Sequence, residues 1–160
     1  MERGTTLFLK AAVILIGIPG LAFCIFLVPE IANFVVELYP DSAYLKYLVF
    51  IDLYAAMLPF YFALYQTLRL LSYIDKNIAF SDLSVRALKN IKYCAIIFSG
   101  LYVVGMPLFY LIAEQDDAPG VIVIGMVIIF ASLVVAFFAA VLQRLLKEAI
   151  DIKSENDLTV

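Results

Sequence analysis

The sequence predicts an all-α polytopic membrane protein, with four transmembrane helices arranged as two hairpins and both termini cytoplasmic. Three observations predict it. Hydrophobic residues make up 65% of the 160-residue chain against 16% charged, and the mean hydropathy is +1.02; soluble domains are about half apolar and a quarter charged. Four apolar stretches reach the roughly 20 residues that a helix needs to cross about 30 Å of hydrocarbon. Ten of the eleven Lys and Arg residues fall on one side of those stretches, the bias that sets orientation. A soluble domain of this size buries only about two-thirds of its chain surface and could not hide so much apolar area. Backbone groups in lipid must be bonded within their own segment, and no barrel-type alternation is present, so the spans are helices.

The chain 1–160 reads as a single membrane domain. The first span, about 8–28, has its apolar run from Ala11 to Val28, between Lys10 and the Pro29-Glu30 pair. A charged start and an apolar run also describe a signal peptide, but this run is too long and no small-x-small site follows it, so the span is expected to be retained. The second span, about 46–71, contains one carboxylate, Asp52. The third covers about 92–113. The fourth, about 120–142, follows Pro119-Gly120, and its helical pattern persists to about Ile152.

Charge then orients the spans. Arg3 and Lys10 precede the first; Arg69, Lys76, Arg86, Lys89 and Lys92 lie between or at the ends of the second and third; Arg144, Lys147 and Lys153 follow the fourth. Lys46 alone is on the other side, which carries Glu30, Glu37, Asp41, Glu114, Asp116 and Asp117. The inner face is therefore cytoplasmic and the outer face acidic. Cys24 and Cys94 would differ in depth by roughly 18 Å, too far for a disulfide.

Lipid removes the usual hydrophobic drive between helices, so small residues that allow close approach mark the packing faces. Ser132, Ala136 and Ala140 form such a ladder in the fourth span, Ala95 and Ser99 in the third, Gly20 and Cys24 in the first. In the second, Asp52, Ala56, Pro59, Ala63 and Gln66 recur at 4-3-4-3 spacing, a single stripe expected to face the interior. Tyr54, Tyr61 and Tyr65 lie opposite, and a phenol in mid-membrane prefers a partner to lipid. That side is expected to meet a neighbouring helix or a second copy of the chain, as a homodimer.

Asp52 and Gln66 form the candidate intramembrane polar site. A carboxylate inside the bilayer costs on the order of 3 kcal/mol unless protonated or paired, so Asp52 is equipped to hold a cation or a proton. It also lies only about five residues from the outer end of its span, within reach of interfacial water or a tyrosine hydroxyl. The outer acidic cluster Glu114, Asp116 and Asp117 suits a hard cation and equally suits a solvated turn. There is no histidine, no Cys-type metal motif and no nucleophile beside a base. No metal, no cofactor and no enzymatic activity are expected.

On the cytoplasmic side, Ser81 reads as a helix N-cap, with Asp82 favourable at the dipole and Phe80 placed to staple onto Val85. An amphipathic helix, about 81–91, would lead into the third span, with Leu83, Ala87, Leu88 and Ile91 on one side and Arg86, Lys89 and Lys92 on another. Lying on the inner leaflet, its basic stripe attracts anionic headgroups at about 1 kcal/mol per charge; plain topological anchoring accounts for it as well. The C-terminal extension 143–160 keeps Leu145, Leu146, Ala149 and Ile152 on one face and Arg144, Lys147, Glu148 and Asp151 on the other. It is long enough to touch a partner.

The segment "SYIDKNIAFSDLSVRALKNIKYCAII", the short outer loop, the fourth span and the ending "LLKEAIDIKSENDLTV" together resemble the bacterial four-helix membrane proteins of domain-of-unknown-function family 2975, the YoaS-like proteins, over essentially the whole chain. The family's "FS" element corresponds to Phe80 and Ser81, and its closing "ENDLT" to Glu155, Asn156, Asp157, Leu158 and Thr159. The resemblance implies a protein of the bacterial cytoplasmic membrane, often encoded beside a very small helix-turn-helix transcription regulator, and supplies no catalytic residue. The leading expectation is a regulatory or sensory protein that holds such a regulator at the membrane. Its contacts would be Arg86, Lys89 and Lys92 in the loop, with Glu155, Asn156, Asp157, Leu158 and Val160 in the tail. Besides this regulator the expected partner is the lipid bilayer, and the chain itself is not expected to bind nucleic acid. The alternatives are a small transport or cation-binding component built on Asp52 and Gln66, or an accessory subunit of a larger membrane complex.

Overall fold

Long apolar runs with few helix breakers make long helices, because a backbone in hydrocarbon has no water to bond to. The computed structural model describes residues 3–42, 44–117 and 119–158. It consists of α1 (Arg3–Ala22), a π-helical turn (Phe23–Leu27), α2 (Val28–Leu38), a short 3-10 turn (Pro40–Ser42), α3 (Tyr44–Asp75), α4 (Asp82–Asp116) and α5 (Gly120–Leu158), with no strand among the described residues. Four helical stretches, Gly4–Leu38, Tyr44–Asp75, Asp82–Leu111 and Gly120–Leu158, are long and apolar enough to cross a membrane. Large apolar side chains face outward all round: Phe8 is 72% exposed and Phe130 70%. Contiguous apolar surface on this scale belongs against lipid.

The helical stretch of the first span does not stop at the Pro29-Glu30 pair. Pro29 has no N–H to give and its ring crowds the preceding turn. The chain widens before it: the Val28 N–H bonds to Phe23 O, one residue beyond its α-helical acceptor, and Pro29 then falls at the start of α2, where a missing N–H costs little. Glu30 and Glu37 are consequently helical and exposed, rather than part of a loop. Cys24 O, which Val28 would serve in an α-helix, instead accepts the Tyr54 hydroxyl of α3 at 2.8 Å.

That bond is one of three that fasten α1 and the π turn along α3. The Tyr61 hydroxyl donates to Gly17 O at 2.8 Å, and Lys10 Nζ donates to Asp75 Oδ2 at 2.7 Å. Partners rise in number on one helix as they fall on the other, so the two run antiparallel. A Cβ on Gly20 would stand 2.7 Å from the Tyr61 hydroxyl; glycine there admits the phenol. The tyrosine side of α3 is thus met within the chain at Tyr54 and Tyr61. Tyr65 remains exposed, with the Arg69 guanidinium 5.8 Å from its ring.

An aromatic contact joins α3 to α4, Phe60 against Phe98 at a centroid separation of 6.2 Å, and the rings continue along α4 from Phe98 to Tyr102 and Phe109 at 4.8 and 6.1 Å. The seam of α5 against α4 is made of small residues, Gly125, Ser132, Ala136 and Ala139, all buried. The ladder turns at Ala139 instead of continuing to half-buried Ala140, because a long antiparallel pair follows a 3.5-residue repeat. α2 packs on α3 and touches α4, with Val28, Ala32 and Val35 clustered with Leu45, Val49 and Leu53. Neither α1 nor α2 forms a substantial interface with α5. The helices make an open row, α1–α3–α4–α5, and α2, which continues α1 beyond the π turn, touches both α3 and α4.

At the start of α4, Ser81 occupies the N-cap position, but its hydroxyl donates to Ile78 O at 2.6 Å and caps no helix N–H. The expected amphipathic helix is the first turns of a continuous α4: Ala87 and Leu88 are buried, while Leu83 is exposed. Phe80 is exposed, with Lys153 Nζ of α5 lying 5.9 Å from its ring centre.

Tyr54→Phe keeps the ring and removes only the donor to Cys24 O. It should lower the stability of the detergent-solubilised protein by about 0.5–1.5 kcal/mol, read as an earlier thermal transition, whereas Tyr65→Phe should leave the transition unmoved. Equal effects of the two would contradict the assignment.

Candidate functional site

α3 carries Asp52 half-buried toward α4, where it meets Gly105: a Cβ at that glycine would collide with the Asp52 carboxylate. Gly105 is thus the notch that seats the carboxyl group. The buried Tyr102 phenol, one turn away on α4, lies within electrostatic range of Asp52 and of Cys24. Gln66 is also buried, but it sits about 14 residues farther along a continuous helix, roughly 21 Å from Asp52. The structure therefore separates the two residues that sequence spacing joined; a shared stripe aligns direction without bringing depths together.

Beside this notch is a cavity of about 300 Å³, walled by the π turn, α2, α3, α4 and α5, with Phe23, Phe34, Leu53, Tyr102, Phe109 and Ile128 among its lining residues. Its walls are apolar apart from the Tyr102 hydroxyl. Sequence reasoning missed it, because it exists only where α2 and α5 flank α3 and α4 without packing on each other. Pro29, at the start of α2 beside the π turn, was the one available signal.

The candidates for a partner contact are distributed over two surfaces. Arg86 and Lys89 are exposed and Lys92 half-buried on α4, with Lys89 and Lys92 lying 6.0 and 4.8 Å from the Tyr93 ring. Glu155, Asn156, Asp157 and Leu158 are exposed at the end of α5; Thr159 and Val160 lie outside the described residues. The Lys153–Phe80 contact brings this end of α5 against the α3–α4 connection. On the opposite side Glu114 is exposed, and Asp117 closes α4 in a left-handed conformation, φ 51°, its N–H bonding to Ala113 O. The Asp116 side chain lies outside the described residues. Among the described residues no group of three His, Cys, Asp or Glu side chains is placed to hold a metal ion.

A family model described as "Protein of unknown function (DUF2975)" matches residues 30–160, from the start of α2 onward. The uncharacterized membrane protein YoaS of Bacillus subtilis (strain 168) is 72% identical over 160 residues, the full length of both chains. No solved structure matches the chain.

The notch predicts a coupling. Gly105→Ala should destabilise the protein by about 1–3 kcal/mol, the usual cost of overpacking, because the new methyl group displaces Asp52. In an Asp52→Ala background the same exchange should cost much less. Additive effects in thermal unfolding of the four proteins of this cycle would show that the two residues do not touch.

Proposed function

The chain belongs to the DUF2975 family, and from that premise we propose that it is a regulatory protein of the bacterial cytoplasmic membrane: four spans in two hairpins, both termini in the cytoplasm, holding a small helix-turn-helix transcription regulator at the inner face. It is a tether rather than an enzyme. The positive-inside distribution supports the orientation. The observation that carries the tether is α5. Its 39 residues extend about 58 Å, against about 30 Å of hydrocarbon, so nearly half of the helix projects from the membrane. There Asp151 to Leu158 are all exposed. Asp151, Glu155 and Asp157, with Leu158 among them, offer an acidic and apolar surface to a basic recognition helix. Holding the regulator in one state and releasing it in another needs only different affinities for two arrangements of the helices.

A second reading, a small transport or cation-binding component, draws on Asp52 seated at Gly105. Proton or cation flux in proteoliposomes that is unchanged by Asp52→Asn would dispose of it.

Two outcomes check the leading reading. Regulator encoded beside the gene should co-purify with the full-length chain and be lost from a chain cut after Ile152; equal capture would remove the tail from the interaction, and no capture by either would end the tether reading. In a background with Cys24 and Cys94 replaced, a cysteine introduced by Lys46→Cys should react with an impermeant thiol reagent on intact cells. One introduced by Lys147→Cys should react only after permeabilisation, and the reverse pattern would invert the topology.

A further inference from the structure

We propose that the cavity between α2 and α5 binds one hydrocarbon chain of a membrane lipid, and that the lipid is one whose headgroup carries an ammonium, of the phosphatidylethanolamine type. The walls decide the first part. Phe23, Phe34, Leu53, Phe109 and Ile128 leave Tyr102 as a source of polarity, and a buried water requires two to four polar partners. The cavity is therefore dry. At about 300 Å³ it is roughly twice the size of an apolar protein cavity known to take up benzene and at the small end of ligand pockets. That is room for part of a flexible aliphatic chain, not for a whole lipid. Because α2 and α5 share no substantial interface, the chain has a lateral path from the surrounding hydrocarbon and crosses no polar layer.

Apolar transfer from bilayer to cavity supplies little selectivity, since both are hydrocarbon. Discrimination has to come from the headgroup. On α2, Glu30, Phe34 and Glu37 stand at i, i+4 and i+7 and so share one face. Phe34 lines the cavity, and both carboxylates are exposed. The two carboxylates thus flank the ring that reaches the cavity, at its headgroup end. α2 carries no basic residue; the basic residue at this end of the helices is half-buried Lys46, against exposed Asp41, Glu114 and Asp117 as well. This field attracts an ammonium and repels an uncompensated phosphate, which favours an aminophospholipid over phosphatidylglycerol.

The chain contains no tryptophan, so a single introduced indole is an unambiguous reporter. Full-length Phe109→Trp protein would be reconstituted in phosphatidylcholine vesicles containing a small, equal fraction of phosphatidylethanolamine or phosphatidylglycerol brominated on the acyl chains. Phe130→Trp, on the outward face of α5, serves as the control. At Phe109→Trp, quenching by the brominated phosphatidylethanolamine should exceed that by phosphatidylglycerol about two- to fivefold, the range that exposed ion pairs supply, and should saturate. The preference should vanish with Glu30→Gln/Glu37→Gln. Quenching at Phe130→Trp should follow the bulk fraction of either lipid. Ile128→Trp replaces Phe109→Trp if that variant does not fold. Equal quenching by both lipids, or a preference that survives removal of the two carboxylates, would overturn the headgroup assignment. Absence of quenching by either would overturn the site itself, as when a second copy of the chain covers the cavity.

Discussion

A carbonyl buried in hydrocarbon must find a donor, and Pro29 has no N–H to provide one. Much of the arrangement follows from how the chain meets that constraint. The π turn shifts the bonding pattern so that Val28 reaches back to Phe23, and the Tyr54 hydroxyl of α3 takes up Cys24 O. Hydrogen bonds across membrane helices are individually worth only about 0.6 kcal/mol on average, yet here one also marks where the first helical stretch passes from α1 to α2. Below the turn, α1 follows α3. Above it, α2 packs on α3 and α4 without a substantial interface to α5, and the cavity lies between them.

α3 is the hub of this row. It presents Tyr54, Tyr61 and Asp75 to α1, Leu45, Val49 and Leu53 to α2, and Asp52 and Phe60 to α4. α5, by contrast, is held chiefly through its small-residue seam on α4. It is also the helix that touches both proposed sites: Ile128 lines the cavity near one end, and Glu155 to Leu158 stand exposed at the other. A helix clamped on one side and continuous over about 58 Å is suited to carry a change in cavity occupancy to its far end. This joins the lipid and regulator proposals through one element without making either depend on the other.

The four spans were legible in the sequence because composition and length alone decide them: nothing else can be done in water with runs such as Val121 to Val141. Local breakers were not. Pro29-Glu30 looks like the end of a helix, since both the missing N–H and the charge argue for leaving the bilayer, and only the neighbouring phenol of Tyr54 makes continuation affordable. The same limit applies to the candidate site. Stripe arguments place Ala56, Asp52 and Gln66 by angle, and Ala56 and Gln66 are indeed buried, but angle carries no information on depth, so Asp52 and Gln66 looked like one site. Gly105 has no neighbour in the sequence that marks its role, and its seat for a carboxylate depends on α3 and α4 meeting at that height. Ser81 shows the converse, a correct N-cap position whose hydroxyl is drawn to Ile78 O by the turn before it.

The most direct measurement concerns Cys24 O. The chain has two cysteines, so 1-¹³C-cysteine in a Cys94→Ala background labels that one carbonyl, whose solid-state NMR shift in bilayers reports its hydrogen bonding. The account predicts a clear shift change on Tyr54→Phe and none on Tyr65→Phe. A Cys24 carbonyl resonance that Tyr54→Phe leaves in place would contradict it.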